Sequence, residues 1–274
     1  MCISVSDLQG IPETTLIPLY HRAIEAKKPQ PLLNDPHAVR IVDQIDYDFS
    51  QFRFGKAALA HPIRAKICDR RIGLFLNEHS RACVVSLGAG LDTQYERMKP
   101  GEEVLWLDLD VPAIEPLWKK FFQETKKRKF IATSVFEEDW LEKIPQDREV
   151  IFIAMGLLMY FTEAEVFALL QKLHTSVPGS QIIFDTVSYW VSLHSQLMSR
   201  LPNFCQPRYV LPDMKWGINL TTIPTYFNQQ TPYQILYLED YLKNYQEAWG
   251  WEGTLMRFTR LDRYLQGAVV QLQL

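Results

Sequence analysis

Cys83-Val84-Val85-Ser86-Leu87-Gly88-Ala89-Gly90-Leu91-Asp92 is the stretch that decides the fold. An apolar run stops abruptly at a Gly-Ala-Gly turn. A second run, Val104-Leu105-Trp106-Leu107, ends in Asp108-Leu109-Asp110. A strand, a glycine turn and an acid closing the next strand is how α/β folds hold a nucleoside. The glycines let the ligand approach the backbone, and the acid accepts hydrogen bonds from ribose hydroxyls.

The glycine pattern also narrows the nucleoside. A dinucleotide fingerprint wants a third glycine three residues after the second, and Thr93 stands there. No G-x-x-x-x-G-K-[ST] occurs, so a phosphate-cradling loop is unsupported. A G-x-G turn followed by a strand-end acid suits S-adenosylmethionine, which has a ribose and no phosphate.

Working outward, residues 14–80 read as mostly helical. Leu16, Leu19, Ala23 and Ile24 recur at helical spacing, Pro29-Gln30-Pro31 interrupts, and Asp35-Pro36 starts a new helix. Ile63, Ile67, Ile72, Phe75 and Leu76 mark another. From Cys83 strands and helices alternate, with strands expected at about 83–88, 103–109, 129–133, 150–154 and 181–185. Ile114, Leu117, Trp118, Phe121 and Phe122 follow the helical apolar rule, with Pro112 in the first turn. Thr162-Glu163-Ala164-Glu165 is a capping box, and Pro178-Gly179 ends that helix. Residues 186–235 lose the alternation and gather aromatics, among them Tyr189, Trp190, Phe204 and Trp216; such a stretch is expected as a cover over a site or a packed insertion. A helix near 238–249 and closing strands near 253–259 and 267–273 are expected to finish the sheet. The class is therefore α/β, with a doubly wound, mostly parallel seven-stranded sheet. It carries an N-terminal helical region (1–80), a cofactor-binding core (83–185), a cover insertion (186–235) and a C-terminal helix and strands (236–274), all in one domain.

Composition bounds the function. Hydrophobic residues make up 47% and charged residues 22%, with a net charge of −3. That balance gives no electrostatic reason to expect nucleic acid or an anionic membrane as a partner. Lys126-Lys127-Arg128-Lys129, the basic run, is expected as a solvated helix end. No signal peptide or apolar span is evident. Cys2, Cys68, Cys83 and Cys205 are scattered, as reduced thiols in the cytoplasm would be. The six histidines show no metal-ligand spacing, so no metal is expected.

Five motifs in order, Arg22-Ala23 with Asp35-Pro36-His37-Ala38, Arg64, Leu87 to Thr93, Asp108 to Pro112, and Met155 to Phe161, resemble the leucine carboxyl methyltransferase family. That family includes carboxyl O-methyltransferases of polyketide biosynthesis. The resemblance implies a class I, Rossmann-like methyltransferase fold and S-adenosyl-L-methionine as cofactor. It implies methyl transfer to a carboxylate or other oxygen of a small-molecule acceptor. By the same resemblance Arg64 would pair with the methionyl carboxylate of the cofactor. Gly88, Ala89 and Gly90 would meet the cofactor, and Asp92 would stand near its amino-acid end or cap the next helix. Asp110 would hold the ribose, with Asp108 as the competing acid.

Two departures from the family pattern stand out. Ser134-Val135 replaces an Asp-Leu pair near the adenine, with Asp139 as a possible substitute. Met155 replaces a Glu. A carboxylate acceptor needs no base, whereas a phenol or alcohol would, and His194 is one candidate for it. Tyr160 is expected to shape the methyl site or merely to pack. The departures leave a non-catalytic cofactor-binding or scaffold protein derived from this family as one alternative. A nicotinamide-linked oxidoreductase is another, opposed by Thr93.

Overall fold

The computed structural model describes residues 3–5, 10–201 and 209–274. Cys2, Phe204 and Cys205, named above, lie outside them. A short strand β1 (Ile3–Ser4) leads through a 3-10 turn at Pro12–Thr15 into helix α1 (Leu16–Ala26). Helix α2 (Pro36–Val42), strand β2 (Ile45–Asp46) and helix α3 (Ala60–Glu78) follow. Asp35 caps α2 by accepting from Ala38 N at 2.9 Å, and Pro36 fills the first helical position.

The alternating part begins with β3 (Cys83–Leu87), α4 (Gln94–Met98), β4 (Leu105–Asp110), α5 (Glu115–Phe121) and β5 (Arg128–Ala132). It continues through β6 (Val150–Ala154), α6 (Glu163–Ser176) and β7 (Gln181–Thr186). Then come α7 (Tyr189–Ser199), α8 (Ile223–Gln230), β8 (Gln234–Asp240), α9 (Gln246–Thr259), α10 (Asp262–Leu265) and β9 (Ala268–Gln273).

Seven strands form one sheet in the order β5-β4-β3-β6-β7-β9-β8, with only β9 antiparallel to its neighbours. Alternate residues of each strand face opposite sides. Val85, Leu107, Phe152 and Phe184 pack toward α6 and α8, whereas Val84, Trp106, Ile151 and Ile183 pack toward α3. Both faces are covered, which explains why the central strands read as unbroken apolar runs. The chain order reverses between β3 and β6, and the carboxyl ends of those strands open a crevice of the kind that open α/β sheets use for ligands. Helices α1 and α2 close over α5 with a third apolar cluster.

Several expectations are corrected. The 238–249 helix and 253–259 strand exchange identities: Gln234–Asp240 is a strand and Gln246–Thr259 a helix, broken at Gly250 where φ is +61°. The basic run does not end a helix. Helix α5 stops at Phe121, and Arg128 opens β5 almost wholly buried. Its guanidinium binds Asp108 at 2.7 Å and Glu96 at 2.5 Å and lies over the rings of Tyr95, Trp118 and Phe122. Pro112 precedes α5 rather than opening it; Pro116 occupies its first turn.

Candidate active site

A cavity of about 960 Å³ opens at the carboxyl ends of β3, β4, β6 and β7. That is at the upper end of the ~300–1,000 Å³ usual for small-molecule sites. The Gly88-Ala89-Gly90 turn forms one wall. Gly88 and Gly90 take φ of +65° and +51°, which only glycine adopts without strain. Ala89 N donates to Leu109 O at 3.0 Å, tying the turn to β4. A Cβ on Gly90 would stand 2.1 Å from Thr15 Oγ1, so the N-terminal segment lies directly on the turn. Thr15 Oγ1 also accepts from Leu91 N at 2.9 Å.

The two candidate acids separate cleanly. Asp110 lines the cavity, and its carboxylate accepts from Gly90 N and Val111 N, both at 2.7 Å. Burial pushes its carboxyl up to about 6, against the pull of those two N–H groups. Asp108 does not line the cavity. It points into the protein, where Arg128 and Trp106 Nε1 hold it at 2.7 and 3.0 Å. Both acids share one face of β4, two residues apart; Asp110 ends the strand at the mouth of the cavity, whereas Asp108 lies one pleat deeper, beside Trp106 and Arg128.

Asp92 lines the cavity but caps nothing; no side-chain cap opens α4. Burial pushes its carboxyl up, but Arg22 and Arg97 outweigh this and hold it at about 2. Those arginines belong to a buried network. Asp35, fully buried, accepts from Arg22 Nε at 3.1 Å, Thr93 Oγ1 at 2.6 Å and Arg97 at 3.0 Å. The network fastens α1 and α2 to the residues after the glycine turn.

Arg64 also lines the cavity and is already engaged. It donates to Asp185 Oδ2 at 2.6 Å, and Asp185 in turn accepts from Gly156 N. Gly156, at φ +74°, leaves room for the guanidinium, since a Cβ there would stand 2.8 Å from Nη2. Ser134, Val135, Met155 and Tyr160 all line the cavity, whereas Asp139 is exposed and does not. Tyr160 is buried, and burial raises its phenol above the ordinary value, so it presents a neutral hydroxyl. His194 is exposed on α7 and outside the cavity, because the buried face of that helix carries Ser192 and Ser195.

Sequence reasoning missed His61. It sits one turn before Arg64 on α3, lines the cavity, and stacks on His21 with centroids 4.8 Å apart. The i, i+3 spacing of His61 and Arg64 was the available signal. Thr15, which lies on the glycine turn, and Asp185 were also missed. Nothing local in the sequence marks Thr15, whose contact spans most of the first hundred residues.

Among the described residues no group of three or more His, Cys, Asp or Glu could hold a metal ion, and no helix is long and apolar enough to cross a membrane.

Comparison with known proteins places this geometry in context. The family model described as leucine carboxyl methyltransferase matches residues 15–174. The tetracenomycin polyketide synthesis O-methyltransferase TcmP of Streptomyces glaucescens is 35% identical over 195 residues, covering 70% of this chain and 72% of that protein. The S-adenosyl-L-methionine-dependent methyltransferase dpfgK of Gibberella zeae is 28% identical over 207 residues, covering 67% and 70%. Among solved structures, a DUF574 family protein from Streptomyces avermitilis superposes with a TM-score of 0.61 at 11% identity, covering 94% of this chain and 96% of that one.

Proposed function

This chain belongs to the leucine carboxyl methyltransferase family, and from that premise we propose that it methylates a carboxylate of a small-molecule specialised metabolite. It is an S-adenosylmethionine-dependent methyltransferase. The observation that carries the reading is the pairing of a left-handed glycine turn with Asp110 on the wall of one large cavity.

The residues present fit the cofactor. Gly88 and Gly90 bring backbone within reach, Asp110 offers a carboxylate to ribose hydroxyls, and Ser134-Val135 would flank the adenine. Arg64 would receive the methionyl carboxylate while Asp185 holds its guanidinium in place. When bound, the cofactor supplies an electrophilic methyl group and leaves as S-adenosylhomocysteine. A carboxylate acceptor is already ionised at neutral pH, so this chain has only to align it and exclude water. Four of the seven methionines, Met155, Met159, Met214 and Met256, line the cavity. Unbranched thioethers make an adaptable apolar wall, which suits a bulky apolar acid. In this reading Met155 belongs to the acceptor side, and Tyr160 shapes it. The whole chain is read as one domain working in the cytoplasm, consistent with the buried, unbridged thiols of Cys68 and Cys83.

Calorimetry tests the reading. S-adenosylhomocysteine is expected to bind with micromolar affinity, about −8 kcal/mol, and NAD not at all. Asp110→Ala is expected to weaken binding by about 1–3 kcal/mol. Unchanged affinity in that variant, or tight NAD binding, would overturn it.

A further inference from the structure

His61 carries an inference that the resemblance does not. Its neighbour His21 places Nε2 at 2.9 Å from Phe52 O. A carbonyl only accepts, so His21 Nε2 bears the proton and its Nδ1 is bare. Both rings are held neutral: burial lowers each, and the Arg64 charge adds to it. A neutral imidazole has one donor nitrogen and one acceptor. His61 Nδ1 is buried with no hydrogen-bond partner, and His61 makes no hydrogen bond among the described residues. A buried N–H without an acceptor is costly and rare, so the proton resides on Nε2, the nitrogen left open to the cavity. The stack against His21 fixes the plane of the ring.

Nε2–H can give a hydrogen bond and cannot take a proton. That excludes His61 as the base for a phenol or alcohol. It matches an oxygen that arrives already charged, one turn of helix from the Arg64 guanidinium. We infer that His61 is the positioning residue for the acceptor, donating from Nε2 to its carboxylate and turning the other oxygen toward the methyl group. The inference rests on the carboxylate reading above and sharpens it.

The shapes of two amides provide the test. The amide nitrogen of Gln reaches where Nε2 of His lies, and that of Asn only where Nδ1 lies. Protein saturated with S-adenosylhomocysteine is titrated with 2-naphthoate and anthracene-2-carboxylate, and with the matching phenols. The contact is to a charged group, so His61→Asn and His61→Phe are expected to weaken carboxylate binding about 10- to 100-fold. His61→Gln is expected to stay within about threefold of wild type, the size of an ordinary uncharged adjustment. In turnover the loss falls on KM rather than kcat, because the acceptor's charge disappears as the ester forms and the contact is not stronger in the transition state. S-adenosylhomocysteine affinity and Tm are expected to stay put in all three variants.

Carboxylate affinity unchanged in a folded His61→Asn overturns the inference. So does a parallel fall in Tm and cofactor affinity in all three, which would make His61 a packing residue. A wild-type protein that binds only the phenols, or no carboxylate of the panel, counts against the carboxylate reading itself.

Discussion

Asp110 is where one side chain's chemistry has a measurable consequence. Its carboxyl, pushed up to about 6 by burial, titrates within reach of neutral pH. In the folded, empty protein it binds its proton more tightly than in the unfolded chain. Stability therefore falls as pH rises from about 4 to about 6, and the ionised carboxylate costs about 3 kcal/mol at pH 7. Asp110→Asn is expected to raise the Tm of the empty protein at pH 7, with the gain fading below about pH 4. Cofactor binding has the opposite sign. In the proposed reading ribose hydroxyls would donate to the charged form, so S-adenosylhomocysteine affinity is expected to drop as pH falls below about 6, by up to about tenfold per unit. Calorimetry from pH 5 to 8 should show this slope in wild type and its absence in Asp110→Asn. Arg64 behaves differently from a surface arginine. Its removal in Arg64→Met leaves Asp185, 1% exposed, without its cation, so that variant is expected to lose thermal stability as well as cofactor affinity.

The glycine turn and the N-terminal segment act as one element. Gly90→Ala places a methyl group against Thr15 Oγ1 at an unfavourable φ. The variant is expected to lose more than about 1 kcal/mol of stability and to bind S-adenosylhomocysteine far more weakly, both readable in one thermal-shift titration. The cofactor half of the molecule was legible in the sequence because its signals are local: apolar runs, Gly88-Ala89-Gly90, a capping box at Thr162. The C-terminal half was not, for a physical reason. Helix α9 turns Trp251, Leu255 and Phe258 outward, 71%, 49% and 86% exposed, so its apolar pattern reports no core face. Its internal Gly250 then reads as a turn. Arg128 misled in the other direction, since a charge in a basic run looks solvated unless its distant partners, Asp108 and Glu96, are known. Of the site residues, Asp110 could be favoured from its place at the strand end. The choice of His194 failed because nothing local in the sequence says which face of a helix meets a cavity.

At the scale of the whole molecule, the N-terminal helices and the sheet are joined by buried charge. Arg97 contacts Asp35, Asp69 and Asp92, at 2.7–3.0 Å. Arg97→Met is expected to cost about 3–5 kcal/mol, because three acids lose a shared cation. Asp92, held at about 2, contributes stability that is present above its ordinary pKa near 4 and lost as pH falls toward 2. Denaturant titrations should therefore show the gap between variant and wild type narrowing over that range. Phe258→Ser, by contrast, is expected to move Tm little. The order of the sheet has a further consequence, for biosynthesis. β8 joins the sheet only through β9, which follows it in the chain and slots between β7 and β8. On the ribosome, Gln234–Asp240 emerges before its partner strand exists, and α9 and α10 can form while it waits. Gly267, packed against Thr186 O and lining the cavity, arrives with β9. The chamber proposed for methyl transfer thus stays incomplete until Gly267 and β9 have emerged.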